Sequence, residues 1–409
     1  MTQELLNQYA RLIVQMGVNV EKSQTVVIGA DIGNADLVER IAEQAYEQGA
    51  KEVVVNWTNE KLLRLKYEKG GESVFDEFPQ WRKVMFEDYD RDGACYISLV
   101  SANPDLLRGI PSDRIQRSMV AQSKALAVHM KATMESRNCW TVVAAPSVEW
   151  AQKVYPGLSE GEAVERLWKA IAKAARFDTP DPLQAWENQN ATFEKRIKYL
   201  NEKRFRSLHY VNRLGTDLRV ELPEGHIWSG GAEVSTGGRR FFPNMPTEEI
   251  FTLPHRNGVN GRVVSAMPLC YQGVTIEDFE LTFENGRAVH CKAGKNQDAL
   301  ENILNMDEGA RRLGEVALVP YSSPISDMKT LFYNTLYDEN ASCHFALGKA
   351  YPTCLEGFSQ MSAEALLEAG VNESLTHVDF MVGTDDLEIT GTDADGNISA
   401  VFIKGNFAF

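Results

Sequence analysis

The sequence has few cysteines and histidines for its length, and their spacing excludes several kinds of site. Its 409 residues include six cysteines and seven histidines. No two cysteines form a CxxC pair, which argues against a zinc knuckle and against a dithiol redox motif. The sequence also lacks HExxH, so it does not predict a helix-borne single-zinc protease.

Long apolar stretches are absent as well. No uninterrupted apolar run approaches the roughly 18 residues that a membrane-spanning helix needs. The first residues form an amphipathic helical pattern and not a signal peptide, so we predict a cytoplasmic protein that does not bind a membrane. The net charge of −15 disfavours nucleic acid and anionic membranes as partners. The glycine-rich segments 29–34 and 230–238 do not have the spacing of dinucleotide- or phosphate-binding loops.

The two halves of the sequence have different patterns. Short β-branched apolar runs at 25–30, 52–57, 94–100 and 139–146 alternate with helical segments, as in a parallel sheet covered by helices. After residue 206, strand patterns and Asn-Gly or Asp-Gly turn signals dominate. We therefore predict an α/β protein with a boundary near 180–205. The predicted domains are residues 1–195, an N-terminal α/β domain with a largely parallel sheet flanked by helices, and residues 196–409, a strand-rich C-terminal α+β domain.

The segment THVDFMV, residues 376–382, places an imidazole and a carboxylate side by side. In a strand, His377 and Asp379 point to one face while Val378 and Phe380 point to the other. The apolar face is expected to join the core, and the opposite face then carries ligands that suit zinc, cobalt or manganese. A hydrogen-bonded surface pair is the alternative interpretation.

Carboxylates beside two other strand-like segments are further candidates. Glu315 lies at the start of GEVALVP, where it is either a solvated strand end or a ligand that reaches into a cleft. Glu248 and Glu249 follow a proline in NMPTEEIFTLP. A helix capped by Thr247 is one interpretation, but the apolar residues that follow favour a strand. On a strand the two glutamates face opposite sides, so at most one can serve a shared site.

His344 stands in DENASCHFALGKAYP, residues 338–352, where polar residues lead into an apolar strand. His344 and His377 have carboxylates nearby, whereas the other five histidines are predicted to be structural. Cys343 is expected to pack in the core, because neighbours in a strand point apart and cannot form a thiolate–imidazole pair. Two histidines with two or three carboxylates suit a pair of divalent ions that share a bridging carboxylate.

These segments resemble the metalloaminopeptidase family that includes aminopeptidase T, aminopeptidase S and PepS. The similarity runs the length of the chain and is most specific at NMPTEEIFT, the glutamate of GEVALVP, NASCHFALGKAYP and HVDFMVG. Preferring Glu249 to Glu248 as a ligand rests on the family's spacing. The metal-site residues that the resemblance implies are Glu249, Glu315, His344, Tyr351, His377 and Asp379.

The resemblance also implies an activity. It implies a homodimer that removes N-terminal residues from short peptides, using a hydroxide activated by two divalent metal ions (zinc, cobalt or manganese). We assign Glu315 as the bridging ligand, Tyr351 as a ligand or an oxyanion donor, and Glu248 or Glu315 as the proton shuttle. Another two-metal amide or dipeptide hydrolase and a non-enzymatic two-domain binding protein are the alternatives.

Overall fold

The structure is a computed structural model that describes residues 1–271 and 273–409. The chain forms two compact units, Met1–Asn188 with Ala232–Pro246, and Gln189–Gly231 with Thr247–Phe409. Residues 232–246 belong to the first unit, whereas the predicted domains, 1–195 and 196–409, place them in the second. The predicted domain boundary stays a prediction. Within the described ranges, no helix is long and apolar enough to cross a membrane.

The first unit has the parallel sheet and flanking helices that its alternating pattern predicted. Its strands are β1 Thr25–Asp31, β2 Glu52–Thr58, β3 Cys95–Val100, β4 Trp140–Ala144, and, further along the chain, β8 Glu233–Val234, β9 Arg240–Phe241 and β10 Asn244–Met245. Its helices are α1 Gln3–Leu12, α2 Ala35–Glu47, α3 Glu60–Lys69, α4 Gln80–Arg91, α5 Ser112–Ala125, α6 Ala127–Met134, α7 Val148–Val154 and α8 Glu160–Ala174. Helix α9, Pro182–Lys203, leads into the second unit.

The sheet of the first unit has the strand order β10-β4-β3-β1-β2, and all of its pairs are parallel. Its central strands are buried apolar runs, as the predicted helix-covered sheet requires. The sequence pattern did not predict the edge strand β10, whose two residues pair with Val142 and Val143 of β4. A strand of two residues is too short to show an alternating pattern in the sequence, so only its pairing with β4 reveals it.

The second unit is built on two antiparallel sheets. The smaller sheet has the order β18-β17-β16-β11-β7, and its strands are β7 Ser229–Gly230, β11 Ile250–Thr252, β16 Leu313–Leu318, β17 His344–Gly348 and β18 His377–Met381. The strands of the larger sheet are β5 Ser207–Val211, β6 Asp217–Glu221, β12 Val259–Val264, β13 Leu269–Tyr271, β14 Val274–Glu284, β15 Arg287–Lys295, β19 Glu388–Thr392, β20 Ile398–Ile403 and β21 Asn406–Phe407. Helices α10 Gln297–Leu304, α11 Thr335–Asp338 and α12 Ala363–Glu368 complete the unit.

The core of the second unit lies between these two sheets. Phe345 of β17 meets Tyr210 of β5, and Phe380 of β18 meets Phe279 of β14, with ring centroids 5.0 Å and 5.6 Å apart. Cys343 is buried in the same core, as predicted. One face of the smaller sheet is thus committed to packing, and only its other face can carry a site.

Candidate metal centre

The candidate site residues lie on the face of the smaller sheet that is turned away from this core. Alternation along the strands sends Val316, Phe345 and Phe380 into the core, so their neighbours point to the opposite face. On that face are Glu315 and Ala317 of β16, His344 and Ala346 of β17, and His377 and Asp379 of β18. Strand pairing therefore accounts for their convergence from distant parts of the chain.

Glu315 reaches this face because β16 carries a bulge at Gly314. Leu313 and Glu315 pair with consecutive residues of β17, so β16 has one extra residue over this interval. Leu313 consequently lies in the core although it precedes Glu315 by only two positions. A Cβ on Gly314 would lie 2.3 Å from the carbonyl oxygen of Gly348, so the bulge requires glycine. Bulges commonly re-aim a side chain beside an active site.

Four nitrogen–oxygen contacts join the side chains into one cluster. His344 Nε2 lies 3.1 Å from Glu249 Oε2 and 3.5 Å from Glu315 Oε1. His377 Nε2 lies 3.5 Å from Glu315 Oε2 and 3.2 Å from Asp379 Oδ1. Glu315 therefore faces both histidines, one with each carboxylate oxygen.

The cluster fits divalent cations. It divides into two triads that share Glu315, and the ligand atoms of each triad lie within 4.8 Å of one another. His344 Nδ1 donates a hydrogen bond to the Ser342 carbonyl at 3.0 Å, and His377 Nδ1 donates to the Lys349 carbonyl at 2.7 Å. A carbonyl can only accept, so each Nδ1 carries a proton, and each Nε2 is the ring atom that faces the carboxylates and could bind an ion. Backbone bonds of this kind orient metal-binding histidines.

The electrostatics of the cluster are those of a cation site. Burial would lower the pKa of His344, but hydrogen bonding to Glu249 and Glu315 raises it well above its usual value. Burial would likewise lower the pKa of His377, while Asp379 and Glu315 raise it to about 9. Burial raises the pKa of Glu315. Positive charge is therefore stabilised among these carboxylates. Bound metal ions would provide that charge in place of the protons on the two histidines.

Tyr351 lies at the border of the cluster. Its ring packs edge-on against His377 with centroids 5.3 Å apart and planes at 67°. Burial raises the pKa of its hydroxyl, and the charges of Glu315 and Asp379 raise it further. The phenol therefore keeps its proton at neutral pH and is available as a hydrogen-bond donor. Its predicted role as a metal ligand stays a prediction.

Glu248 faces away from the residue that follows it. Its Oε2 accepts a hydrogen bond from Gln189 of α9 at 3.0 Å, and its backbone N–H donates to Asn340 Oδ1 at 2.7 Å. Glu249, by contrast, reaches His344. Consecutive residues of an extended segment face opposite sides, which accounts for the difference. The role of Glu248 as a proton shuttle stays a prediction.

The sequence analysis did not identify Glu339, whose carboxyl group interacts electrostatically with the charged groups of the cluster. This half-buried residue lies in the short helical turn Glu339–Ala341. Burial raises the pKa of its carboxyl well above its usual value, and the charges of Asp379 and Glu249 raise it further. The signal for it was in the sequence, because Glu339 belongs to the polar start of the segment that ends in His344.

Carboxylates and imidazoles that converge on one sheet face, with both Nε2 atoms turned inward, are typical of metal-dependent hydrolases. Comparison with known proteins leads to the same class. The profile of the Peptidase M29 family, described as thermophilic metalloprotease, matches residues 2–407. The chain belongs to this family and is a peptidase.

Similar proteins match over the full length of the chain. Aminopeptidase AmpS of Bacillus subtilis is 49% identical over 99% of this chain and 98% of its own. Aminopeptidase T of Thermus thermophilus is 40% identical over 98% of each chain. The structure of wild-type AmpT from Thermus thermophilus covers both chains completely, with a TM-score of 0.94 and 39% identity.

A more distant likeness shows how little the fold alone decides. The structure of 2,5-dihydroxypyridine dioxygenase from Pseudomonas putida KT2440 matches with a TM-score of 0.52 and 13% identity. That protein shares the fold and is named for a different reaction. The function of this chain must therefore be argued from its site.

Proposed function

We propose that this protein is a metal-dependent aminopeptidase that releases N-terminal amino acids from short peptides. The observation that carries the proposal is the cluster of five side chains in which two triads share Glu315. The full-length relatives support it, because each is named an aminopeptidase. We prefer it to the other two-metal hydrolases and to a non-enzymatic binding protein for these two reasons.

Two divalent ions of zinc, cobalt or manganese would occupy the two triads. Glu249, Glu315 and His344 would hold one ion, and Glu315, His377 and Asp379 would hold the other. Imidazole and carboxylate ligands accept each of these metals, so availability would select among them. When bound, such ions supply an activated water and polarise the scissile carbonyl.

The protein's own groups would manage the charge and the proton. The protonated Tyr351 hydroxyl, beside His377, would donate a hydrogen bond to the developing oxyanion, an interaction worth about 3 kcal/mol in other enzymes. A carboxyl group must deliver a proton to the leaving amine. Glu339 joins Glu248 and Glu315 as a candidate, because its raised pKa keeps a proton available beside the cluster.

A homodimer in the cytoplasm is the proposed state of the protein. The first unit supports the dimer, because β2 ends its sheet and Trp57 of β2 and Leu62 of the following helix are exposed. Exposed apolar side chains beside a free strand edge often mark an interface. The six free cysteines are consistent with a reducing compartment. Light scattering coupled to gel filtration tests the dimer directly.

A pair of peptides tests the activity. Purified protein loaded with zinc, cobalt or manganese should shorten a leucine-terminated pentapeptide one residue at a time. The same peptide with an acetylated N-terminus should remain intact. Mass spectrometry of the products identifies which end is cut, and elemental analysis in parallel should find about two ions per chain, as the paired triads predict.

Each rival function gives a different result. Release of residues from the C-terminus, or hydrolysis of the acetylated peptide, would assign the site to another amide hydrolase. Hydrolysis of dipeptides alone would make it a dipeptidase. Less than one bound metal ion, with no hydrolysis on adding any of the three metals, would leave the binding protein as the better description.

A further inference from the structure

An apolar cluster begins at the border of the metal centre. It includes the buried side chains Leu253, Cys354 and Val371 and the half-buried side chains Phe251, Tyr351 and Met361. It is separate from the core between the two sheets. Its half-buried members present apolar surface that packing within the second unit does not cover completely.

Two ring contacts connect this apolar cluster to the metal centre. The Tyr351 ring lies 5.3 Å from the His377 ring, and the Phe251 ring lies 5.8 Å from the Tyr351 ring, with a tilt of 56° between their planes. The apolar surface is therefore one aromatic side chain away from a candidate metal ligand.

Strand pairing places Phe251 against the metal centre from a second direction. Phe251 follows Glu249 by two positions on an extended segment, so both side chains project from the same face. Ile250 between them is buried in the core on the other face. Across the sheet, Phe251 pairs with Ala317, which itself pairs with His344. Phe251 and His344 therefore lie on either side of Ala317, whose side chain is a single methyl group.

We propose that Phe251 and Tyr351 form the wall of a subsite for the side chain of the substrate's N-terminal residue, and that this subsite prefers leucine, methionine and phenylalanine. The inference rests on the proposed aminopeptidase function and adds a substrate class to it. In an aminopeptidase the Cβ of the first residue is two bonds from the scissile carbonyl carbon. Its pocket must therefore begin beside the metal ligands, where these two rings lie.

The test compares substrates in wild type and in Phe251→Ala. In wild type, kcat/KM for leucyl and phenylalanyl anilides should exceed that for the glycyl anilide by a factor of about 10 or more, since one methylene in an apolar pocket discriminates about 10- to 200-fold. In Phe251→Ala, kcat/KM for the two apolar substrates should fall about tenfold or more, and that for the glycyl substrate should change less than about threefold. Phe251→Leu, which keeps an apolar side chain, should lie between them.

Binding of the reaction product provides a readout that does not need turnover. Calorimetry should show that wild type binds free L-leucine more tightly than glycine, and Phe251→Ala should lose most of that difference. Phe407→Ala is the matched control, because it removes a half-buried phenyl ring from the larger sheet of the same unit. It should leave both ratios unchanged.

The outcomes separate this inference from the function on which it rests. If wild type cleaves no peptide with a free N-terminus, the proposed function fails. If wild type does cleave such peptides, but Phe251→Ala lowers kcat/KM equally for all anilides or leaves every value unchanged, the subsite is overturned and Phe251 only supports the fold. A wild type that favours the glycyl or a charged substrate overturns it as well.

Discussion

Glu249 and His344 meet at 3.1 Å although the strand β16 runs between the two positions in the sheet. Their side chains meet across β16, where Ala317, with only a methyl side chain, pairs directly with His344. A residue with a longer side chain at this position would fill the space in which the carboxylate and the imidazole come together. The metal centre therefore depends on a small residue that carries no ligand atom.

Replacing Ala317 by leucine should separate these two groups. We expect Ala317→Leu to lower metal affinity and kcat/KM by about 10- to 100-fold or more, the range for residues that orient metal ligands. Equilibrium dialysis against a metal buffer measures the affinity. Ala317→Gly, which keeps the space open, should bind metal nearly as well as wild type. Unchanged metal affinity in the leucine variant would show that the space is not required.

The bulge in β16 gives a second prediction. Gly314→Ala places a methyl group against the Gly348 carbonyl, so the strand must shift and turn Glu315 away from the histidines. We expect loss of bound metal and of activity, with a lowered melting temperature. Gly161→Ala in helix α8 is the control, because a Cβ there would meet no atom of the described residues within 4 Å. Full metal occupancy in Gly314→Ala would contradict the role of the bulge.

Removing ligands should abolish activity without unfolding the protein. Glu315→Gln and His377→Ala should each lower kcat by several orders of magnitude, because each disturbs a triad that a two-ion site needs. Glu388→Gln, an exposed carboxylate on β19, should behave like wild type. Circular dichroism checks the fold. Wild-type rates in either ligand variant, at full metal occupancy, would refute the assignment.

Metal affinity should depend on pH through His377. Its pKa is raised to about 9, so at lower pH an entering ion must displace a proton. Affinity should therefore rise with pH up to about 9, by up to about tenfold per unit for one displaced proton, and then level off. Before metal is added, the same proton stabilises the folded protein below about pH 6.5, and that contribution is lost as pH rises through 9. Calorimetric titrations from pH 6.5 to 9.5 would reveal a flat affinity if this linkage were absent.

Two glutamates can be distinguished as proton shuttles. We expect Glu339→Gln to lower kcat by about 10²- to 10⁴-fold with metal content retained, the usual contribution of general acid–base catalysis. Glu248→Gln should have a smaller effect, because this carboxylate is bonded to Gln189 of α9. Single-turnover rates at saturating peptide compare the two variants. The reverse order of effects would return the role to Glu248.

Local patterns in the sequence predicted much of this protein. Alternation alone placed His377 and Asp379 on one face of a strand and Phe380 on the other, as the structure has them. The Asn285-Gly286 signal predicted the turn between β14 and β15, and both residues have positive φ there, at 48° and 78°. Such features depend on residues close together in the chain, so a pattern can reveal them.

Other features depend on partners that no local pattern names. The bulge at Gly314 is a shift in the pairing of β16 with β17, so it is defined only once the two strands pair. This bulge turns Glu315 toward the histidines. The hydrogen bond from Gln189 of α9 to Glu248 and the pairing of β10 with β4 were equally invisible in the sequence. By itself the sequence determined which residue types were available and, in a regular strand such as β18, which face each would occupy. Only the tertiary structure decided which of them meet, because strand register and side-chain space are properties of the assembled sheet.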